Sequence, residues 1–165
     1  MRLRKALTTT LATAAVVAGL LAPTAANAAP TSATRPTDAW RPCAAGSPTN
    51  QIFRGGTKIP SGERVCVAAY QLVMQYDGNL VIYNNTGQPL WNSQTEGFPG
   101  AYAIMQEDGN FVVYQGTQWL WNSRTGGNTG HYLYLCFQTD GNLVVYAPLP
   151  NMINCNSDRL WWSGT

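Results

Sequence analysis

The chain has 165 residues, 45% of them hydrophobic and only 11% charged, with a formal net charge of +2. Arg2, Arg4 and Lys5 crowd the first five residues, so from Ala29 onward seven basic residues face eight acidic ones, a net of −1. That balance excludes a basic nucleic-acid binder, which needs a cationic stripe to neutralise phosphates. Six Trp and eight Tyr exclude a disordered chain, and the length suits one domain with a full hydrophobic core.

Residues 1–28 read as a secretory signal peptide. Met1 to Lys5 is a basic head, Leu7 to Leu21 an apolar Ala-rich stretch, and Ala26-Asn27-Ala28 a small-x-small end, with cleavage expected after Ala28. Thr8, Thr9, Thr10 and Thr13 interrupt the stretch and Pro23 follows it, so a membrane anchor is the poorer reading. No other stretch is long and apolar enough to cross a bilayer. The expected location is extracellular, without membrane insertion. Residues 29–47, with Pro30, Pro36 and Pro42 among Thr, Ser and Ala, read as an extended N-terminal extension anchored by Trp40 and Cys43.

Export makes the four cysteines informative, because an even set in an oxidising compartment implies two disulfides. Cys43–Cys66 and Cys136–Cys155 are favoured because they close short loops, and the other two connectivities stay open. A zinc site is the weaker alternative, since there is no Cys-x-x-Cys pair and only one His. No metal or cofactor is expected.

A repeat organises everything after residue 50. Gln75-Tyr76-Asp77-Gly78-Asn79-Leu80-Val81-Ile82-Tyr83 recurs from Gln106 to Tyr114 and again from Gln138 to Tyr146, at steps of 31 and 32 residues. A Trp-x-Ser follows each copy: Trp91-Asn92-Ser93, Trp121-Asn122-Ser123 and Trp161-Trp162-Ser163. Asp-Gly between two apolar runs is a strong hairpin signal. With Asp77-Gly78-Asn79 as a three-residue loop, Gln75 pairs with Val81, Met74 with Ile82 and Val73 with Tyr83, and the glycine takes a left-handed conformation. One face then carries Gln75, Val73, Val81 and Tyr83. The core face carries Met74, Tyr76, Leu80 and Ile82, with Met105, Phe111 and Val113, then Phe137, Leu143 and Val145, as equivalents.

Turn chemistry alone explains Asp, Gly and Asn. It does not explain a Gln two residues before each Asp, or Tyr three times where Val or Ile would serve. In this register Gln, Asp, Asn and Tyr converge on the outer face over a small Val. Amides donate and accept, an ionised carboxylate only accepts, and a phenol does both. Such a group suits the adjacent hydroxyls of a neutral sugar, with Val against the ring carbons. It suits catalysis poorly, because nothing supplies a base or a second carboxylate. His131 is the sole His and reads as a surface residue, so no triad forms without recruiting it. Trp119 and Trp162, beside the repeat tryptophans, read as packing residues, with a sugar-stacking role as the alternative.

The motif Gln-x-Asp-x-Asn-x-Val-x-Tyr, three times at this spacing with a Trp after each, resembles the bulb-type (monocot mannose-binding) lectin domain. The resemblance runs from about Asn50 to Thr165 and includes Asn50-Gln51-Ile52 and Ser61-Gly62-Glu63; the domain is set at residues 48–165. It implies an all-β fold, the β-prism II of three four-stranded antiparallel sheets with pseudo-threefold symmetry, and it implies that Trp91, Trp121 and Trp161 pack near the axis. Carried over, Asp77 and Asn79 would bond the axial O2 of mannose, Gln75 O3 and Tyr83 O4, with Val81 against C3 and C4. Gln106, Asp108, Asn110, Val112 and Tyr114 would form a second site. Gln138, Asp140, Asn142, Val144 and Tyr146 would form a third. The partner so implied is mannose or a mannose-containing glycan, bound without catalysis.

The chain departs from that pattern in places. Tyr83 to Trp91 and Tyr114 to Trp121 span eight and seven residues, but Tyr146 to Trp161 spans fifteen. The third repeat thus carries an insertion around residues 147–156 that holds Cys155. A Cys136–Cys155 bond would draw it toward the third site, which is expected to be reshaped or partly covered. Plant members commonly exchange a C-terminal strand. Only four residues follow Trp161 here, so oligomeric state stays open. Asn84-Asn85-Thr86 fits a glycosylation sequon, but the signal peptide has a bacterial character and modification is not expected. Two other functions compete with a secreted lectin. One is a lectin-like bacteriocin that uses the sugar sites for target recognition, although such relatives usually carry two domains in tandem. The other is an enzyme, inhibitor or plain scaffold on the same fold.

Overall fold

The structure is a computed structural model that describes residues 42–43, 46–127, 132–147 and 153–165. The signal peptide, most of the extension with Trp40, His131 and part of the third-repeat insertion lie outside the described residues. All twelve described elements are strands. The first three are short: β1 (Gln51–Arg54), β2 (Lys58–Ile59) and β3 (Arg64–Val67). Each repeat then supplies a three-stranded meander. The first is β4 (Tyr70–Met74), β5 (Leu80–Asn84) and β6 (Pro89–Asn92). The second is β7 (Tyr102–Met105), β8 (Phe111–Gln115) and β9 (Gln118–Asn122). The third is β10 (Tyr134–Phe137), β11 (Leu143–Ala147) and β12 (Asp158–Trp162).

The short strands fan out to complete the repeats. The three sheets run β3-β4-β5-β6, β2-β7-β8-β9 and β1-β10-β11-β12, with every pairing between these strands antiparallel. These are the three four-stranded sheets of a β-prism. The second strands are rich in Val, Ile, Phe and Tyr, which suit a pleated surface, and their alternation buries one side chain in two against the common core. Leu72, Met74, Leu80, Ile82, Met105, Phe111, Val113, Phe137, Leu143 and Val145 all belong to one core cluster and are 0% exposed. At its edge Trp91, Trp121 and Trp161 form a closed triangle, with centroids 5.2–5.7 Å apart and interplanar angles of 68–74°. Edge-to-face packing matches the positive rim of one ring to the negative face of the next, and it ties one strand of each repeat to the other two.

The hairpin register differs from the sequence expectation. Met74 pairs with Leu80, Val73 with Val81, Leu72 with Ile82 and Gln71 with Tyr83. The loop is therefore Tyr76-Asp77-Gly78. Gly78 N donates to Gln75 O (3.1 Å) and Gln75 N to Asn79 O (2.9 Å), closing a type I turn whose last residue is left-handed, Gly78 at φ +101°. Asn79 enters the ladder because its amide is capped by Asp77 Oδ1 at 2.9 Å, leaving its carbonyl for Gln75. The slip is two residues, an even number, so each side chain keeps its expected face. Tyr76 alone is misplaced by the expectation: it sits half-buried in the loop, against Gly62.

Candidate binding sites on the outer faces

Both favoured disulfides are present, Cys43–Cys66 and Cys136–Cys155, with Cα separations of 6.1 and 6.0 Å. They lie on the outer faces, where the three motifs also lie. In each motif Gln ends one strand, Asp sits in the turn, Asn follows it, and Val and Tyr lie on the next strand. All fifteen expected residues gather in three clusters of this kind.

The turns are held by side chains that sequence reasoning overlooked. Asn79 Oδ1 accepts from Ser93 Oγ (3.2 Å) and from Thr95 N (3.3 Å), while Thr95 Oγ1 donates to Gly78 O at 2.7 Å. Ser123 and Thr125 hold Asn110 and Gly109 in the same way, at 3.2, 3.3 and 2.6 Å. Ser163, Gly164 and Thr165 hold Asn142 and Gly141 at 2.9, 3.2 and 2.7 Å. The signal was available as Trp-x-Ser-x-Thr, repeated three times. The residue between Ser and Thr is left-handed each time: Gln94 at φ +57°, Arg124 at +59° and Gly164 at +78°.

These anchors sort the donors and acceptors. A backbone N–H points at the Asn oxygen, so the Asn amide nitrogen is the atom turned outward. Asp108 Oδ1 is likewise used by Asn110 N at 2.9 Å. Among the described residues no group takes Asp108 Oδ2 or Asn110 Nδ2. Gln75 Nε2 donates to the Tyr83 hydroxyl at 2.9 Å, and Gln106 Nε2 to the Tyr114 hydroxyl at 3.2 Å. The Tyr114 hydroxyl thus accepts from Gln106 and can give its own proton to an incoming oxygen. Val81 and Val112, 3% and 1% exposed, form the floors.

The third cluster is different. Cys136 pairs with Val144, the floor residue, and Tyr146 pairs with Tyr134. The Cys136–Cys155 bond therefore lies over the floor. Gln138 Nε2 donates to Cys155 O at 3.0 Å, and the Tyr134 hydroxyl donates to Asn154 O. Tyr146 is 4% exposed, where Tyr83 and Tyr114 are half-buried. Burial pushes the Tyr146 phenol above its ordinary value, and the Gln138 side chain opposes that only in part. Cys155 packs against Tyr134, Cys136, Val144 and Tyr146, so this segment lies against the third cluster.

Trp119 and Trp162 do not pack as expected: they are 63% and 49% exposed. The cause is a bulge. Trp121 faces Val113 while Trp119 faces Tyr114, so Leu120 is the extra residue and the two tryptophans point to opposite faces. Trp162 faces Val144, with the Arg159 guanidinium 4.8 Å from its ring. Asn84 caps its own turn, accepting from Thr86 N at 3.0 Å and Gln88 N at 2.9 Å.

No family profile matches the chain. A mannose-specific lectin from Aloe arborescens is 43% identical over 102 residues, which are 60% of this chain and 92% of that protein. The chain belongs to the monocot mannose-binding lectin family. Solved members share the fold. A monomeric monocot mannose-binding lectin from Gastrodia elata superposes with a TM-score of 0.59 at 31% identity, over 71% of this chain and 97% of that one. The snowdrop (Galanthus nivalis) agglutinin, solved with methyl-α-D-mannoside, gives 0.55 at 31% identity, over 65% and 96%. These lectins bind sugars and are not enzymes.

Proposed function

We propose that the protein is an exported mannose-binding lectin that works through its first and second motifs, the third being closed by its own chain. The observation that carries this reading is the repeated Gln–Tyr contact, with both groups half-buried or buried over an apolar floor beside outward Asp and Asn groups. A pyranose with axial O2 would place that oxygen between Asp and Asn, O3 at Gln and O4 at the Tyr hydroxyl. An epimer with equatorial O2 leaves the first two groups unpaired, at a desolvation cost of about 1–3 kcal/mol. Four or five bonds netting about 0.5–1.5 kcal/mol each in a shallow site imply roughly millimolar binding of a monosaccharide. Useful strength then comes from two sites engaging one glycan surface. Export is supported by the signal-peptide pattern of residues 1–28 and by the pairing of all four cysteines.

Titration of the mature protein with methyl α-mannoside, followed by NMR at the Gln75 and Gln106 side-chain amides, tests the reading. Saturable shifts at roughly millimolar sugar are expected, with none for the glucose epimer. No shift with the mannoside would defeat it.

A further inference from the structure

We propose that the second site takes an oligosaccharide, with the Trp119 indole as a stacking platform for the sugar next to the one held by Gln106, Asp108, Asn110, Val112 and Tyr114. The inference rests on the lectin reading above and adds a subsite to it. Trp119 is the cross-strand partner of Tyr114 on the outer face, one strand spacing of about 4.8 Å away. On its other flank Tyr114 is already covered: Tyr102 stacks on it at 5.9 Å and 24°, and the Lys58 ammonium lies 4.9 Å above the Tyr102 ring. On the other side the aromatic row continues onto Trp119, which is 63% exposed.

A cleft of about 390 Å³ runs along the edge strand β9, walled by Trp119, Asn122 and Arg124 together with Leu120, Trp121 and Trp161. Asn122 is the cross-strand partner of Val112, the floor of the site. No residue of the motif lines that cleft, which meets the second site through Trp119 and Asn122, the cross-strand partners of Tyr114 and Val112. The wall chemistry fits a sugar. An indole face accepts the C–H side of a pyranose, and a guanidinium and an amide supply donors for its hydroxyls. Asn122 Oδ1 is used by Arg124 N at 2.9 Å, which turns the amide nitrogen toward the cleft.

The platform belongs to the second site alone. The position facing the site tyrosine is Pro89 in the first repeat and Arg159 in the third. Proline offers little area, and Arg159 is engaged with Trp162. Burying one indole face on a sugar ring corresponds to a gain of about tenfold in affinity.

The full chain, its Trp119→Ala variant and its Trp119→Phe variant are titrated with methyl α-mannoside and with each α-linked mannobiose. Second-site binding is read at the Gln106 amide and first-site binding at the Gln75 amide. At least one mannobiose should bind the second site about tenfold more tightly than the monosaccharide. Trp119→Ala should remove that advantage, leave monosaccharide binding within about twofold, and leave the first site untouched; Trp119→Phe should keep part of it. If the monosaccharide binds but no mannobiose gains, or the gain survives Trp119→Ala, the subsite is refuted while the lectin reading stands. If neither sugar moves either amide, both fall.

Discussion

Removing the Cys136–Cys155 bond should open the third site, and the size of the effect on stability follows from the structure. The bond joins residues 19 apart. Closing a loop of that length restrains the unfolded chain by about 3 kcal/mol. Cys136 is 0% exposed among Tyr134, Val144 and Tyr146, so Ala replaces it with no stranded hydroxyl and a small cavity costing about 1 kcal/mol. The double variant Cys136→Ala/Cys155→Ala should lose about 3–4 kcal/mol, or roughly 10–15 °C in Tm for a domain of this size. With residues 153–157 no longer tethered, the Gln138 amide is released from Cys155 O and left to Tyr146 and an incoming sugar. Denaturant unfolding measures the first effect, and NMR titration with methyl α-mannoside at the Gln138 side chain measures the second. A folded variant that binds sugar at its first two sites while Gln138 stays silent would refute the argument that the tether closes the third.

In the unmodified chain, Gln75→Ala should abolish sugar response at the first site while Gln138→Ala leaves the total binding unchanged; equal damage from the two would contradict a closed third site. Gly78→Ala should destabilise the fold by several kcal/mol. A left-handed Cβ costs about 1–2 kcal/mol by itself, and here that Cβ would also collide with the Phe98 carbonyl; an unfolding free energy within about 1 kcal/mol of the parent's would show that the turn relaxes freely. Tyr146 has its pKa raised from 10.0 by burial. The folded state therefore favours the neutral phenol, so this group's contribution is complete below about pH 10 and is lost as pH rises through the folded-state value. Tyr146→Phe should flatten the alkaline fall in stability; an alkaline unfolding profile unchanged by the substitution would contradict the burial.

The repeat made much of the fold legible. Alternation along Leu80-Val81-Ile82-Tyr83 settles which side chains face the core, because a side chain's face depends only on whether its position is odd or even. The same property hides the register. A slip of two residues leaves every face unchanged, so the pattern that placed Val81 outside could not choose between Gln75 and Val73 as its partner. The deciding term was the capping of Asn79 N by Asp77, which is local turn chemistry with no period. Trp119 was misread for a related reason. It has the same parity as the core residue Trp121, and only the bulge at Leu120 sends the two to opposite faces. The anchoring role of Ser93 and Thr95 was visible as a repeat but not as a bond, because the partners are 14 to 17 residues apart in the chain.

Three intact motifs do not make three equal sites, and the hydrogen bonds say why. Asp Oδ1 and Asn Oδ1 are consumed inside every turn, including the third, where Asn142 N is capped by Asp140 at 3.0 Å. Asp, Gly and Asn are therefore needed to build each hairpin whether or not it ever meets a sugar. The discriminating groups are those with no role in the turn. The Gln amide reaches Tyr in the first two repeats, and in the third it also donates to the Cys155 carbonyl. Around them, the cross-strand neighbours of the floor and of the tyrosine vary freely: Val73, Ile104 and Cys136 on one side, Pro89, Trp119 and Arg159 on the other. Those positions lie on the outer face, outside the Trp triangle and the core, so changing them leaves the prism intact. One repeat thereby keeps the plain motif, one sets an exposed indole beside it, and one carries a disulfide next to its floor.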